Sequence, residues 1–459
     1  MGKILARTLL TIIVAALLYG IYYAWMALPV YTGYSAKTMC SCTFISDREQ
    51  ASILAQDLSS FGMVDLNVNY LDSTVIASVK GLAERTAVFR KGLGCSLALG
   101  KPPEALKAEQ EIIIKPDQRQ ANNYWPTGDN FAGGEFSNEL NEDVLERALN
   151  NVFIEPDPKH LKGTRAVVVV YKGKIVAERY AEGFSRDTPL LGWSMTKSVV
   201  NAMVGILVQM NLLRLEDDHL FEEWSDENDP RNKITLDQLL RMSSGLEWEE
   251  VYAGLSDATR MLFASDSPPQ LALSKSMEFT TDSIWEYSSG TTNIVSELLR
   301  RKIGGTNKQY WNFPHAFLFN KLGMRGAVIE PGPDGTFVGS SFMYATARDW
   351  ARFGLLYLND GVWNGDRILP PGWVDYSQTP TPKAPGRRYG AHFWRTEGER
   401  GSYPDIPKDA YHMAGYEGQK VVIIPSYDLV IVRLGFSQPE SNWDFPGFVK
   451  DIINAFTSR

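Results

Sequence analysis

The chain opens on one uninterrupted apolar stretch and then breaks into short alternating and amphipathic segments. No charge appears between Arg7 and Lys37, and residues 8–28 are dominated by Leu, Ile, Val, Ala, Tyr and Trp. About twenty such residues, rising about 1.5 Å each, cross a hydrocarbon layer of roughly 30 Å. Lys3 and Arg7 predict that a tail of residues 1–7 stays in the cytoplasm and that everything after the helix lies outside, on the periplasmic side of the inner membrane. A cleaved signal peptide would share the basic start and the apolar run. An uncleaved anchor is favoured by the length of the run, by the lack of a clean small-x-small site after it, and by Tyr22, Tyr23 and Trp25 as an interfacial belt.

Beyond the anchor, residues 29–115 predict a small accessory module. A helix over 47–61 is opened by Ser46 and Asp47. Strands follow over 66–70, 75–79 and 86–89, and a glycine turn at 90–95 leads into an apolar stretch at 96–99. Residues 116–137, rich in Pro, Asn, Gly and charge, predict a linker. An amphipathic helix comes next over 138–150, with Leu140, Val144, Leu145 and Ala148 on one face. The remaining chain, 138–459, predicts the main domain. It has a hairpin at 165–171 and 175–180 near its start, another at 421–424 and 429–434 near its end, and a terminal helix over 446–456. Strands at both ends with helices between them predict an α+β domain whose antiparallel sheet joins the two ends of the chain.

Composition changes this picture little. Apolar residues make up 44% and charged residues 22% of 459, as in ordinary globular proteins. The net charge of -8 and the absence of a basic block argue against a nucleic-acid partner. Cysteine is more informative, because Cys40, Cys42 and Cys95 all fall within the accessory module. In an oxidising compartment either Cys40 or Cys42 is expected to pair with Cys95, since a bridge between Cys40 and Cys42 would strain so short a loop. Three reduced thiols are the alternative. A metal is not expected, because the module has no histidine and the other histidines lack ligand spacing. No phosphate-binding glycine loop is present and no cofactor is called for.

The candidate chemistry starts at Ser194-Met195-Thr196-Lys197, where a polar loop enters an apolar, helix-like stretch over 195–213. Serine and lysine three positions apart on the first turn of a helix share a face, the geometry of a nucleophile beside its base. The helix terminus adds partial positive charge and free N–H groups, which favour an oxyanion and disfavour a protonated amine. The same spacing also arises by chance. For acyl transfer the dyad needs a proton donor for the leaving group as well, and Tyr287 is the candidate.

The order of several segments raises the weight of this reading. Trp193-Ser194-Met195-Thr196-Lys197-Ser198 is followed by Leu239-Leu240-Arg241-Met242-Ser243-Ser244-Gly245-Leu246, then Tyr287-Ser288-Ser289-Gly290, then Ala414-Gly415-Tyr416-Glu417-Gly418-Gln419. Together they resemble the class C β-lactamase-like serine hydrolases of the penicillin-recognising fold, which include β-lactamases, D-alanyl-D-alanine peptidases, carboxylesterases and 6-aminohexanoate-dimer hydrolases. The resemblance covers residues 140–459. It implies an antiparallel sheet flanked by helices, with Ser194 as nucleophile, Lys197 as base and Tyr287 as proton shuttle. The backbone N–H groups of Ser194 and Tyr416 would form the oxyanion hole, with Gly415 letting its strand approach the substrate.

Two departures narrow the expected substrate. Ser289 stands where β-lactamases and peptidases carry an amide that grips a peptide-like substrate. Met413-Ala414-Gly415 replaces their cation and hydroxyl, unless His412 supplies a charge. These losses, and the Gly415–Gln419 text, point to the esterase and 6-aminohexanoate-dimer hydrolase branch. Trp193, Trp248, Tyr252, Trp285, Trp394 and Tyr416 crowd the motifs and predict an apolar cleft for a small ester or amide, with Trp193, Tyr252 and Gly415 as candidate substrate contacts. The competing readings are a D-alanyl-D-alanine peptidase or weak β-lactamase, and a non-catalytic receptor for cell-wall fragments.

Overall fold

The computed structural model describes residues 2–114, 122–130, 139–157, 159–304, 306–397 and 403–456. Its first element is a single helix, Gly2–Phe44, which runs through Pro29 without breaking. The outer part is exposed and apolar enough to cross a membrane by length and composition. The helix does not stop at the end of that apolar run. Thr32, Ser35, Ala36, Met39 and Cys40 are fully buried, so tertiary packing carries it on to Phe44 within the protein body.

The buried half of this helix packs on a four-stranded antiparallel meander, Asp65–Asn69, Thr74–Val79, Leu82–Arg90 and Gly94–Leu97. Thr32 Oγ1 donates to Ala83 O at 2.6 Å, and Cys40 is disulfide-bonded to Cys95 on the last strand. Cys42 remains a buried free thiol, pushed up to about 12 by burial and by Asp57. The helix expected over 47–61 is instead a short turn of helix, Gln50–Ala55, followed by a 3-10 turn, Ser59–Phe61. Ser46 does not cap it. Its hydroxyl donates to Pro189 O at 2.6 Å, and Asp47 adopts φ 53°.

Two buried ionic clusters join the module to the main domain. Glu330, with no exposed surface, receives Lys37 Nζ, Ser41 Oγ at 2.7 Å and the Cys95 N–H at 2.6 Å. Asp57 receives Arg48 Nη1 at 2.7 Å and both Nη groups of Arg165 at 2.8 and 2.9 Å. Burial works to raise the Asp57 carboxyl, but the two guanidinium groups prevail and hold it below the usual range. Removing one member of such a cluster strands a buried charge, so module and domain are bound as one unit.

The main sheet has six antiparallel strands in the spatial order Trp394–Arg395, Tyr411–Gly415, Gln419–Ile424, Leu429–Gly435, Thr164–Tyr171 and Lys174–Tyr180. The ends of the domain meet in it, with Val169 opposite Ile431. Helices cover both faces, which explains the unbroken apolar run Val167 to Val170. Val168, Val170, Val430 and Val432 face the core under Ala347–Leu358, while Val167, Val169 and Ile431 face Glu142–Phe153 and Phe445–Ile453. Much of the predicted linker lies outside the described residues. Its middle, 122–130, is pinned to the domain: Trp125 Nε1 donates to Gly173 O at 3.0 Å, and Asp129 pairs with Arg325 and Arg352.

Candidate active site

Ser194 lies in a 3-10 turn, Trp193–Met195, that feeds the buried helix Thr196–Gln209. Trp193 precedes it at φ 47°, a region that costs a bulky residue of order 1–3 kcal/mol. Lys197 is 1% exposed, and its ammonium donates to Ser194 Oγ, Ser289 Oγ and Ser340 O, each at 3.0 Å. Asn293 holds Ser340 in turn, through Nδ2 to Oγ at 3.1 Å. Burial pulls Lys197 down to about 8, against the opposing charge of Glu250. An amine in that range can give up a proton near neutrality, keep two N–H bonds to Ser289 and Ser340, and turn its lone pair to the Ser194 hydroxyl.

Tyr287 stands just before the helix Ser289–Ile303, whose N-terminus is capped by Ser288 accepting from the Thr291 N–H. Its ring is boxed by Tyr389 at 5.9 Å, Trp394 at 5.5 Å and Trp285 at 6.2 Å between centroids. Lys197 Nζ sits 4.8 Å from the ring centroid, and Tyr287 lines the same cleft as Ser194. Burial, with Glu250 adding to it, pushes this phenol well above its ordinary value, so it is held neutral and able to donate a proton.

The third side of the site is the strand Tyr411–Gly415. A Cβ on Gly415 would lie 2.1 Å from Gly192 O, so only glycine allows this strand so near the Ser194 turn. The approach places Tyr416, first residue of the 3-10 turn Tyr416–Gly418, beside Ser194. Both residues occupy first-turn positions, whose N–H groups have no acceptor inside their own turn. Glu417 follows at φ 63°, and its carboxylate accepts from Trp193 Nε1 at 2.9 Å.

One group escaped the motif reading. Glu250 receives Ser289 Oγ at 2.6 Å, the Ser289 N–H at 2.8 Å, Tyr252 OH at 3.0 Å and Trp248 Nε1 at 2.6 Å. Ser289, which reads in sequence as a lost amide, therefore links a carboxylate to Lys197. The only sequence signal was the acidic run at 247–250, which resembles any solvated charge cluster.

The cleft in front of Ser194 has a volume of about 400 Å³. Tyr252, Tyr287, Trp394, Ala414, Gly415 and Tyr416 line it together with Ser194. Trp193 is not in this wall. It is 3% exposed and lines a neighbouring cavity, while Trp248 and Trp285 pack behind the site. Arg388, Arg395, His412, Lys420 and Glu440 also line the cleft, with Tyr403 and Phe445 among them. His412 does not supply a cation. Its ring packs on Phe445, and burial, with Lys420 and Arg388 adding to it, pulls it well below its ordinary value.

A six-stranded antiparallel sheet under helices, with a Ser-x-x-Lys turn at its edge, defines a serine hydrolase of the penicillin-recognising fold. The model of the beta-lactamase family matches residues 156–443, and the chain belongs to that family. A 6-aminohexanoate-dimer hydrolase of Paenarthrobacter ureafaciens is 25% identical over 311 residues, covering 62% of this chain and 74% of that protein. A Bacillus anthracis structure, assigned provisionally to the 6-aminohexanoate-dimer hydrolases, superposes with a TM-score of 0.57 at 22% identity over 74% of this chain and 89% of its own. A penicillin-binding protein homologue from Caulobacter crescentus has a TM-score of 0.52 at 16% identity, over 68% of this chain and 95% of its own.

Proposed function

We propose that the protein hydrolyses ester or amide bonds through an acyl-enzyme on Ser194, at the outer face of a membrane in which residues 8–28 anchor it. The observation that carries the reading is the 3.0 Å contact between Lys197 Nζ, held at about 8, and Ser194 Oγ. Ser194 Oγ attacks the carbonyl carbon while its proton moves to Lys197. The carbonyl oxygen becomes an oxyanion between the N–H groups of Ser194 and Tyr416. Tyr287 passes a proton to the departing oxygen or nitrogen. Water then enters by the reverse relay, releases the acid and restores Ser194.

Three features support esters and amides over β-lactams. Ser289 is engaged by Lys197 and Glu250 and presents no amide to a substrate. Ala414 offers no hydroxyl at the cleft, and His412 beside it is held neutral. The name of the Paenarthrobacter relative points to amides of the same simple kind. A fluorophosphonate probe tests the reading. Labelling of the native protein and its loss in Ser194→Ala are expected, whereas labelling that survives the substitution would remove Ser194 as nucleophile. An unlabelled native protein would favour a binding receptor, and capture of a fluorescent penicillin would favour the peptidase or β-lactamase alternative.

A further inference from the structure

We infer that the substrate is a membrane-resident amphiphile whose acyl chain lies in a second, apolar cavity that the N-terminal helix builds against the Ser194 cleft. The inference rests on the hydrolase and anchor readings above and names their substrate class. The cavity has a volume of about 310 Å³. Ala27, Val30 and Tyr34 of the helix line it together with Phe61 of the module and Phe263 of the main domain, whose rings meet Tyr34 at 4.6 and 5.1 Å. No charged side chain lines it.

Its position is what gives it meaning. The helix is exposed up to Trp25, so Ala27 lies only about 3 Å further along the axis from the interfacial aromatic belt. A Cβ placed on Gly254 would come 3.4 Å from the Tyr23 hydroxyl, which sets the loop carrying Tyr252 at the level of that belt. Close packing of the helix here depends on Gly33, where a Cβ would lie 2.2 Å from Phe263 O. A chain sliding from the bilayer into this space would pass from one apolar medium to another, avoiding the cost of exposing it to water.

The cavity also adjoins the chemistry. Tyr252 and Tyr416 are walls of both spaces, with rings stacked at 5.0 Å and 17°. Tyr252 is fixed through its hydroxyl to Glu250 and Ser289. Among the described residues no hydrogen bond holds the Tyr416 hydroxyl, and that side chain is 39% exposed, so Tyr416 is the leaf that can turn aside. The Ser194 cleft itself is also lined by Arg388, Arg395, Lys420 and Glu440, with Lys420 paired to Glu440 at 2.6 Å. An uncharged space beside the serine cleft, and charged groups within the cleft, match a chain and a head joined by an ester or amide. The bond between carbonyl carbon and head breaks, Ser194 Oγ retains the acyl chain, the head leaves with a proton, and water releases the fatty acid.

The test uses the full-length protein in vesicles of phosphatidylethanolamine and phosphatidylglycerol, with p-nitrophenyl acetate and decanoate as probes. Each methylene removed from water favours binding about fourfold, so kcat/KM for decanoate should exceed that for acetate by tenfold or more. Val30→Trp and Ala27→Phe narrow the cavity and should lower the decanoate-to-acetate ratio at least tenfold. A native ratio near one, or a ratio unchanged in both variants when they fold and label with fluorophosphonate, would overturn the inference. Should either variant unfold, the native ratio decides alone. A fluorogenic acyl lipid then distinguishes the source: turnover only when enzyme and lipid share a bilayer supports membrane delivery, and equal turnover from separate vesicles overturns it. Failure of native labelling and of acetate hydrolysis together would instead sink the hydrolase reading itself.

Discussion

Trp193 and Glu417, 224 positions apart, are joined by a buried hydrogen bond of 2.9 Å, and each holds a backbone φ in the left-handed region. Trp193 precedes Ser194 and Glu417 follows Tyr416, so the bond ties together the two turns that carry the candidate oxyanion donors. Two strained bulky residues persist only where the surroundings over-determine them. Here the restraint is the bond itself, with Gln438 Nε2 donating to the other carboxylate oxygen at 2.9 Å.

Glu417 should make stability fall as pH rises. Burial raises its carboxyl to about 7, with Asp57 adding to the rise and the bond from Trp193 opposing it. Between pH 4.5 and 7 the folded protein keeps a proton that the unfolded chain releases. The contribution of this group to stability is therefore full below pH 4.5 and lost through pH 7, by on the order of 3 kcal/mol. Thermal unfolding across that range should show the slope in the native protein and its loss in Glu417→Gln. An identical slope in both would place the titration elsewhere.

Lys197 has the opposite sign. Its folded value of about 8 lies below the ordinary lysine value, so between pH 8 and 10.5 the folded protein has shed a proton that the unfolded chain keeps. Its contribution to stability rises with pH through that window. In the proposed mechanism the neutral amine is the active form, and kcat/KM for a p-nitrophenyl ester should climb about tenfold per pH unit to a plateau above about pH 8. Lys197→Met should lose acylation by at least 100-fold. Undiminished turnover in that variant would mean that another base serves.

Glu250 acts on the same titration at one remove, as a positioning residue. Its charge raises Lys197 against the effect of burial, and its oxygens anchor Ser289 and Tyr252. Glu250→Gln should move the acid limb of the kcat/KM profile below pH 8. It should also cost roughly 1–3 kcal/mol of stability, because an amide N–H would face donors that now meet a carboxylate. A loss of stability with the limb unmoved would leave Glu250 a purely structural role.

Gly415→Ala tests the oxyanion geometry. The added methyl meets the backbone Gly192 O at 2.1 Å, and the two turns must part. Losing one well-placed donor costs about 100- to 1,000-fold in kcat. Steady-state kinetics should show that fall in kcat with KM changed only a few-fold. A normal kcat would exclude the Tyr416 N–H from the oxyanion hole.

Local chemistry written in contiguous residues was legible without coordinates. Ser194 and Lys197 lie on one turn, so helical geometry alone sets their contact. The hairpins at both ends of the main domain were visible as β-rich runs flanking a turn, Lys172-Gly173-Lys174 in one and Pro425 to Asp428 in the other, and the sheet that joins them follows from pairing. Cys40 and Cys42 were equal candidates for Cys95, since spacing cannot tell which side chain faces the last strand of the meander. The N-terminal helix was read as ending near residue 28, where its apolar run ends, yet buried contacts carry it to Phe44. Glu250 and Glu417 acquire meaning only from partners 39 and 224 positions distant, because which groups meet a carboxylate is decided by the packing of the whole domain. The cavity beside the N-terminal helix belongs to the same kind. Ala27, Phe61 and Phe263 are ordinary apolar residues one by one, and only the packing of the N-terminal helix against the site makes a cavity of them.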